Sequence, residues 1–248
     1  MSEALKVAVR VRPFNQRELD RNAKLVIDMV GATTVIRHPD TDEEKKFAFD
    51  YSYWSHDGFD TEENGYMRAS SAKYADQEVV FRDLGIGLLE NAWKGFNCCV
   101  FAYGQTGSGK SYSIVGYGEN KGVIPLTCAE LFKRVGETTS STLQYRVQVT
   151  MLEIYNEKLR DLLNPKTAAD QLKIRTNASG MYVENIREVA VDSYHAIEHQ
   201  MDVGARNASD SARSCPVPRP RRSLTLRRRA RLLLSAQARR TGRWARRR

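Results

Sequence analysis

Gly104, Gln105, Thr106, Gly107, Ser108, Gly109, Lys110 and Ser111 satisfy the pattern G-x-x-x-x-G-K-[ST] at every fixed position. Residue types in this order suit the capture of a chain of phosphates. Backbone N–H groups must close round such an anion, and side chains at the bends would hold the backbone away from it. Gly104, Gly107 and Gly109 remove that obstruction. Lys110 brings a mobile positive charge toward the β- and γ-phosphates, and the Ser111 hydroxyl is a candidate ligand for Mg²⁺. An ordinary glycine turn before a helix is the competing reading, but four fixed positions coincide by accident on the order of once per hundred chains of this length.

A phosphate loop works only between a strand that delivers it and a helix that follows, whose N-terminal dipole then faces the anion. The uninterrupted apolar run "NCCVFAY" before the motif reads as a strand covered on both faces, and a helix-forming stretch comes after it. Upstream, "LKVAVRVRP" alternates with the period of a half-buried strand ended by Pro13, and "KFAFDYSYW" alternates in the same way through Phe47, Phe49, Tyr51 and Tyr53. Val80, Phe81, Leu84, Leu88, Leu89 and Trp93 recur at three- and four-residue steps, which predicts an amphipathic helix from Gln77 to Trp93 leading into Gly95. Downstream, "YRVQVTMLEIYNEKLRDLL" begins as a strand and shifts to helical spacing until Asn164-Pro165 stops it. "LKIRTNASGMYVENI" predicts a hairpin turning at Ser179-Gly180, and "DSYHAIEHQMDVG" a helix capped by Asp192 and closed by Gly204. Strands and helices interleave, so the fold class is α/β.

The chain has 248 residues, 41% of them hydrophobic, enough for one large domain or two small ones. No stretch reaches the apolar length that spans a bilayer, and the charges in "MSEALKVAVRVRP" exclude a secretory signal. Cys98, Cys99, Cys128 and Cys215 have neither a disulfide framework nor a zinc spacing, which fits a reducing cytosol and makes the sequons at Asn177 and Asn207 chance matches. The net charge of +9 is unevenly placed. After Asp210 come fourteen arginines with no acid and no lysine, whereas residues 1–210 hold 25 basic against 30 acidic groups.

With the loop in hand, its flanking words are informative. "VAVRVRPFN", "VFAYGQTGSGKSYS", "GVIP" and "LEIYNEKLRDLL" resemble the kinesin motor domain in order and spacing, from about Lys6 to Asn207, while "HPD", Tyr53-Trp54-Ser55 and "GFN" lean toward the kinesin-3 class. The resemblance implies a P-loop NTPase fold with a mixed sheet flanked by helices. It also implies ATP with Mg²⁺ as ligands, microtubules (tubulin) as partner, and a cytoplasmic, cytoskeletal location. Carried over by position, Arg10, Arg12 and Pro13 line the adenine pocket and Tyr112 stacks on the base, where such stacking is worth about 1–3 kcal/mol. Arg10 and Arg12 as solvent-facing strand residues, and Tyr112 as a first-turn helix residue, remain alternatives. Lys173 and Arg175 match a segment that makes minor microtubule contacts in the family, and read equally as exposed strand charges.

The resemblance stops after the helix expected near Gly204. Neither N-x-x-S-S-R nor D-x-x-G-x-E, the family's phosphate-sensing segments, occurs; "NASDSARS" echoes the first with the wrong spacing. No catalytic residue is therefore identifiable, and the fold is expected to be incomplete on its C-terminal side, with the strand before the loop short of partners. The expected organisation is a partial motor domain over residues 1–207 and an Arg/Pro-rich basic tail over 208–248, disordered or read out of frame. The alternative function is a non-enzymatic nucleotide-binding remnant whose tail binds nucleic acid or another acidic polymer. His195 to His199, "HAIEH", matches H-x-x-E-H of inverted zinc peptidases but lacks a third ligand, so a solvated helix face explains it better.

Overall fold

The computed structural model describes residues 5–138, 143–178, 180–213, 229–240 and 243–244, and the chain divides into two units, Met1–Thr127 and Cys128–Arg248. The first unit runs through β1 (Ala8–Val11), α1 (Gln16–Asp20), β2 (Ile27–Val30), β3 (Thr33–Arg37), β4 (Glu44–Ala48), β5 (Tyr51–Trp54), β6 (Phe59–Thr61) and β7 (Met67–Ala69). After α2 (Gln77–Val80), a π-helical turn (Phe81–Gly85) and α3 (Ile86–Trp93) come the phosphate loop, α4 (Lys110–Ile114), β8 (Gly116–Tyr117), β9 (Asn120–Lys121) and α5 (Val123–Glu137), which passes into the second unit.

β1 lies parallel to β5, from Ala8 beside Tyr51 to Val11 beside Trp54. The alternating run expected as one strand through Phe47 and Tyr53 is two: β4 pairs antiparallel with β3, and the chain breaks at Phe49-Asp50 before β5 turns to β1. Asp50 explains the break, because its carboxylate accepts the Val7 N–H at 2.7 Å and its own N–H donates to Val7 O, so the chain is re-aimed at the start of β1. Tyr53, Ala75, Val80 and Val123 form the buried cluster, with Ala8, Tyr51, Val79 and Leu84 packed on it. A fully buried valine such as Val80 or Val123 contributes about 1.5–3 kcal/mol.

The helix expected over 77–93 is present with a defined start, where the Asp76 carboxylate accepts the Val79 N–H at 2.8 Å, and a defined end, where Gly95 takes φ 91°. Its middle is a π-turn rather than a regular α-turn. Gly85 there lies so close to the Phe81 ring that a Cβ would overlap it.

The run Asn97–Tyr103 departs from its reading as a strand covered on both faces. No described strand pairs with it, and Phe96, Phe101 and Tyr103 are 65%, 73% and 93% exposed. An apolar strand is held by neighbours on either side, and among the described residues none is supplied.

The second unit contains β10 (Leu143–Tyr155), β11 (Lys158–Asp161), β12 (Lys173–Asn177), β13 (Gly180–Glu184), β14 (Val189–Val191), α6 (Tyr194–Arg213), β15 (Arg229–Arg240) and β16 (Arg243–Trp244). β10 carries β11 and β14 along one edge and β15 along the other, all antiparallel. The shift to helical spacing expected before Asn164-Pro165 is corrected: β10 and β11 form a hairpin. Asn156 and Glu157 both take positive φ, 49° and 60°, and such a two-residue loop matches the right-handed twist of the strands. Leu159 then packs with Leu152 and Leu172 as a strand residue. The expected hairpin β12–β13 is present, with Ser179 outside the described residues.

Two further expectations shift at α6. Its first turn is capped by Ser193, whose Oγ accepts the Ala196 N–H at 3.2 Å, while Asp192 accepts from the Ser193 hydroxyl. Gly204 does not end the helix; it sits inside it because a Cβ there would run into Met151 of β10. The helix thus continues through the expected domain boundary at 207/208. The expected disordered tail contributes β15, paired with β10 from Arg240 beside Leu143 to Arg229 beside Ile154. Cys215 and the prolines at 216, 218 and 220 lie outside the described residues. Among the described residues no helix is long and apolar enough to cross a membrane.

Asp161 holds the second unit's main corner. It is 2% exposed, its Oδ1 accepts from Leu163 N at 2.8 Å and Asn164 N at 3.0 Å, and its Oδ2 accepts from Arg187 N at 2.7 Å. Asp161→Ala leaves three N–H groups unpaired and is expected to destabilise by about 3 kcal/mol, read as a lower urea midpoint by circular dichroism; an unchanged midpoint contradicts this role.

Candidate functional site

All three glycines of the loop adopt φ values that other residues avoid: 149° at Gly104, 80° at Gly107 and 90° at Gly109. The loop folds tightly on itself at one point, since a Cβ on Gly104 would stand 2.5 Å from Ser108 Oγ, whereas one on Gly107 would meet nothing within 4 Å. Gly107 therefore leaves open space where a ligand can approach the backbone. Lys110 Nζ donates to Gly104 O at 2.8 Å and Gln105 O at 2.7 Å, which folds its ammonium back over the loop. Ser108 Oγ is buried without a hydrogen-bond partner. Gly109 N-caps α4, whose first N–H groups are orphans by helix geometry.

These residues fit a phosphate group: a bend with three glycines at positive φ, a folded-in ammonium, an orphaned hydroxyl and a helix start in one place. For a divalent cation the protein offers less. Ser111 is exposed, and among the described residues no three His, Cys, Asp or Glu side chains gather as a metal site. A hard cation such as Mg²⁺ would take the Ser111 hydroxyl together with phosphate oxygens and water.

The structure gives Arg10 an internal role. Its Nε donates to Ser55 Oγ at 2.9 Å, Nη1 to Gln77 Oε1 at 2.7 Å and Ser113 Oγ at 3.2 Å, and Nη2 to Ala75 O at 3.2 Å. The guanidinium also lies 5.2 Å from the Tyr112 ring centroid. Burial lowers its pKa, and the surrounding tyrosines and Asp76 pull it back. Gln77, 2% exposed, passes the clasp on by donating to Tyr112 O at 2.7 Å and Asn120 O at 3.1 Å. Tyr112 follows the loop as expected, half-buried, with its hydroxyl 3.5 Å from Met67 Sδ and burial raising its pKa.

Arg12 links the strand to the loop. Its Nε donates to Gly107 O at 2.6 Å, Nη1 to Pro13 O at 2.5 Å, and both terminal nitrogens to Glu18 at 2.7 Å. Glu18 also closes a capping box with Asn15 at the start of α1. Chiefly because of Arg12, and then the Asn15 N–H, the Glu18 carboxyl is pulled down to about 2. Thus Arg12 is bonded to the loop and to Pro13 O, and Arg10 lies against Tyr112 just after the loop. The sequence reading missed Gln77 and Glu18. Glu18 had a visible signal in Asn15-x-x-Glu18, the capping-box spacing; Gln77 had none beyond its place at a helix start.

The other candidates belong to the second unit. Lys173 and Arg175 are exposed on β12, and Arg175 is paired with Glu184 at 3.1 Å. His195 is 92% exposed with its Nδ1 3.9 Å from Glu198, the solvated helix face expected of "HAIEH".

Fold and loop together define an α/β protein built on a P-loop. The family model for the kinesin motor domain matches residues 10–218, and the chain belongs to that family. It is 47% identical over 218 residues to Kinesin-related protein 1 of Dictyostelium discoideum, covering 82% of this chain and 9% of the relative. It is 44% identical over 216 residues to Kinesin-like protein KIF13A of Homo sapiens and 46% over 206 to KIF1A of Rattus norvegicus, covering 84% and 81% of this chain and 11% of each relative. These matches agree with the kinesin-3 lean of the sequence. Among solved structures, KIF14[391-755] with ADP in complex with a microtubule superposes with a TM-score of 0.78 at 32% identity, over 96% of this chain and 62% of that one. A KIF14[391-772] dimer with AMP-PNP gives 0.73 at 36%, over 83% and 55%. The chain therefore spans about a tenth of the length of these curated relatives and about three-fifths of the solved motor structures.

Because Glu18's pKa is depressed, its ionised form favours the folded site throughout the range above the ordinary carboxylate pKa and ceases to do so as pH falls toward 2. A carboxyl ¹³C titration should place Glu18 well below the other glutamates, and Arg12→Ala should return it toward about 4.3. A Glu18 that titrates normally in the parent contradicts the clasp.

Proposed function

We propose that this chain binds Mg-ATP through Gly104–Ser111, as the N-terminal part of a microtubule motor domain. The observation that carries the reading is the loop itself: three glycines at positive φ around a folded-back Lys110, in a chain of the kinesin family. That the KIF14 structures hold ADP and AMP-PNP supports an adenine nucleotide. In this reading the loop amides and Lys110 hold the phosphates, Ser111 reaches the Mg²⁺, and the base lies among Arg12, Pro13 and Tyr112. Arg10, its donors already engaged, lies against the Tyr112 ring. Mg²⁺ would neutralise charge on the β- and γ-phosphates.

The partner in this reading is the microtubule, whose acidic surface suits basic contacts, with Lys173 and Arg175 as minor ones and the cytoskeleton as location. Hydrolysis is a different matter for the chain as it stands. It contains neither N-x-x-S-S-R nor D-x-x-G-x-E to position the attacking water and sense the γ-phosphate. The reading is therefore nucleotide capture without microtubule-stimulated turnover.

Lys110→Ala is expected to weaken ATP binding by at least a hundredfold in calorimetry, about 2.7 kcal/mol, and phosphate release by the parent should not rise when microtubules are added. Equal ATP affinity in Lys110→Ala would refute the site, and turnover that climbs with microtubule concentration would refute the separation of capture from hydrolysis.

A further inference from the structure

His56 follows β5 and has no task in the nucleotide reading. Its ring lies edge-on to Phe14, centroids 4.7 Å apart at 87°, and tilted to Trp54 at 5.6 Å and 61°. Trp54 is a firm base for it: buried at 6% exposure, its indole N–H donates to Asp57 at 2.8 Å, and the Lys73 ammonium stands 3.8 Å over its ring. The imidazole is thus attached to the core of the first unit. From there Nδ1 reaches Arg12 O at 3.0 Å. A carbonyl can only accept, so Nδ1 carries the hydrogen and donates it.

These contacts bracket Pro13. Its ring nitrogen has no hydrogen, so the Arg12–Pro13 peptide is anchored from its carbonyl, and His56 is the group bonded there. On the far side of Pro13, Phe14 rests against the same imidazole. Arg12 meanwhile holds Gly107 O of the phosphate loop at 2.6 Å. The distance between the base-side proline and the phosphate loop is therefore set from two ends, by Arg12's side chain and by His56 on Arg12's carbonyl.

We propose that His56 is a positioning residue for the base end of the nucleotide, holding the Arg12–Pro13 peptide so that a purine carried on the bound triphosphate meets Pro13 in register. This rests on the nucleotide reading of Gly104–Ser111. A merely structural role would weaken the loop and the base site alike; a positioning role affects only ligands that carry a base.

The test measures binding of ATP and of inorganic tripolyphosphate, each with Mg²⁺, to the 248-residue chain by calorimetry. His56→Phe keeps a ring and loses the donor; His56→Asn keeps a donor near the place of Nδ1 and loses the ring. His56→Phe is expected to weaken ATP about tenfold while tripolyphosphate stays within about twofold, and His56→Asn to keep ATP within about threefold of the parent. An ATP affinity unchanged in His56→Phe, or a loss equal for both ligands, overturns the proposal and leaves the nucleotide site standing. Should His56→Phe fail to fold, His56→Ala, which removes ring and donor together, takes its place: a tenfold loss of ATP with tripolyphosphate retained supports the role, and ATP retained contradicts it. A parent chain that binds neither ligand ends the nucleotide reading, and this proposal with it.

Discussion

A half-buried guanidinium must have its donors met inside the protein, and in the first unit that requirement falls on Arg10. Its bonds to Ser55, Gln77, Ser113 and Ala75 O join β1 to the end of β5, to the start of α2 and to α4. Gln77 extends the same network to the backbone of Tyr112 and Asn120. The phosphate loop is therefore anchored at its downstream end. Upstream it hangs from Asn97–Tyr103, a segment with no strand pairing among the described residues. A loop that must present amides at fixed positions to an anion is thus held firmly on one side and through the Arg12 bridge on the other.

Much of this was readable from residue types alone. The phosphate loop, the Gln77–Trp93 helix, β1 and the β12–β13 hairpin stand where periodicity and glycine placement put them. The loop was legible because its requirement is local: φ values that glycine alone tolerates, at a fixed spacing from a lysine and a hydroxyl. What was not legible depends on distant partners. Nothing in "VAVRVRP" tells whether Arg10 faces a ligand or four polar groups supplied by residues 45 to 103 positions away. His56 likewise carries no pattern of its own; it matters because a parallel strand pair places it beside Arg12.

The same distinction explains the misread elements. "LEIYNEKLRDLL" has leucines at helical steps, yet two left-handed residues at Asn156-Glu157 and the buried Asp161 corner turn it into a hairpin. Gly204 looked like a helix end and is instead a contact point for Met151. The apolar Asn97–Tyr103 run has the composition of a covered strand, but composition cannot supply the neighbours. Later in the sequence, Arg229–Arg240 gives β10 a neighbour from Leu143 to Ile154, although its arginine content gave no reason to expect one.

The backbone amides of residues 104–111 are proposed to enclose a triphosphate. Hydrogen–deuterium exchange of the whole chain, with and without Mg-ATP, reads those amides themselves. Slowed exchange is expected in peptides spanning Gly107–Tyr112, with smaller protection around Arg12–Phe14. Unchanged exchange across the loop, with ATP-dependent protection elsewhere in the chain, would contradict it.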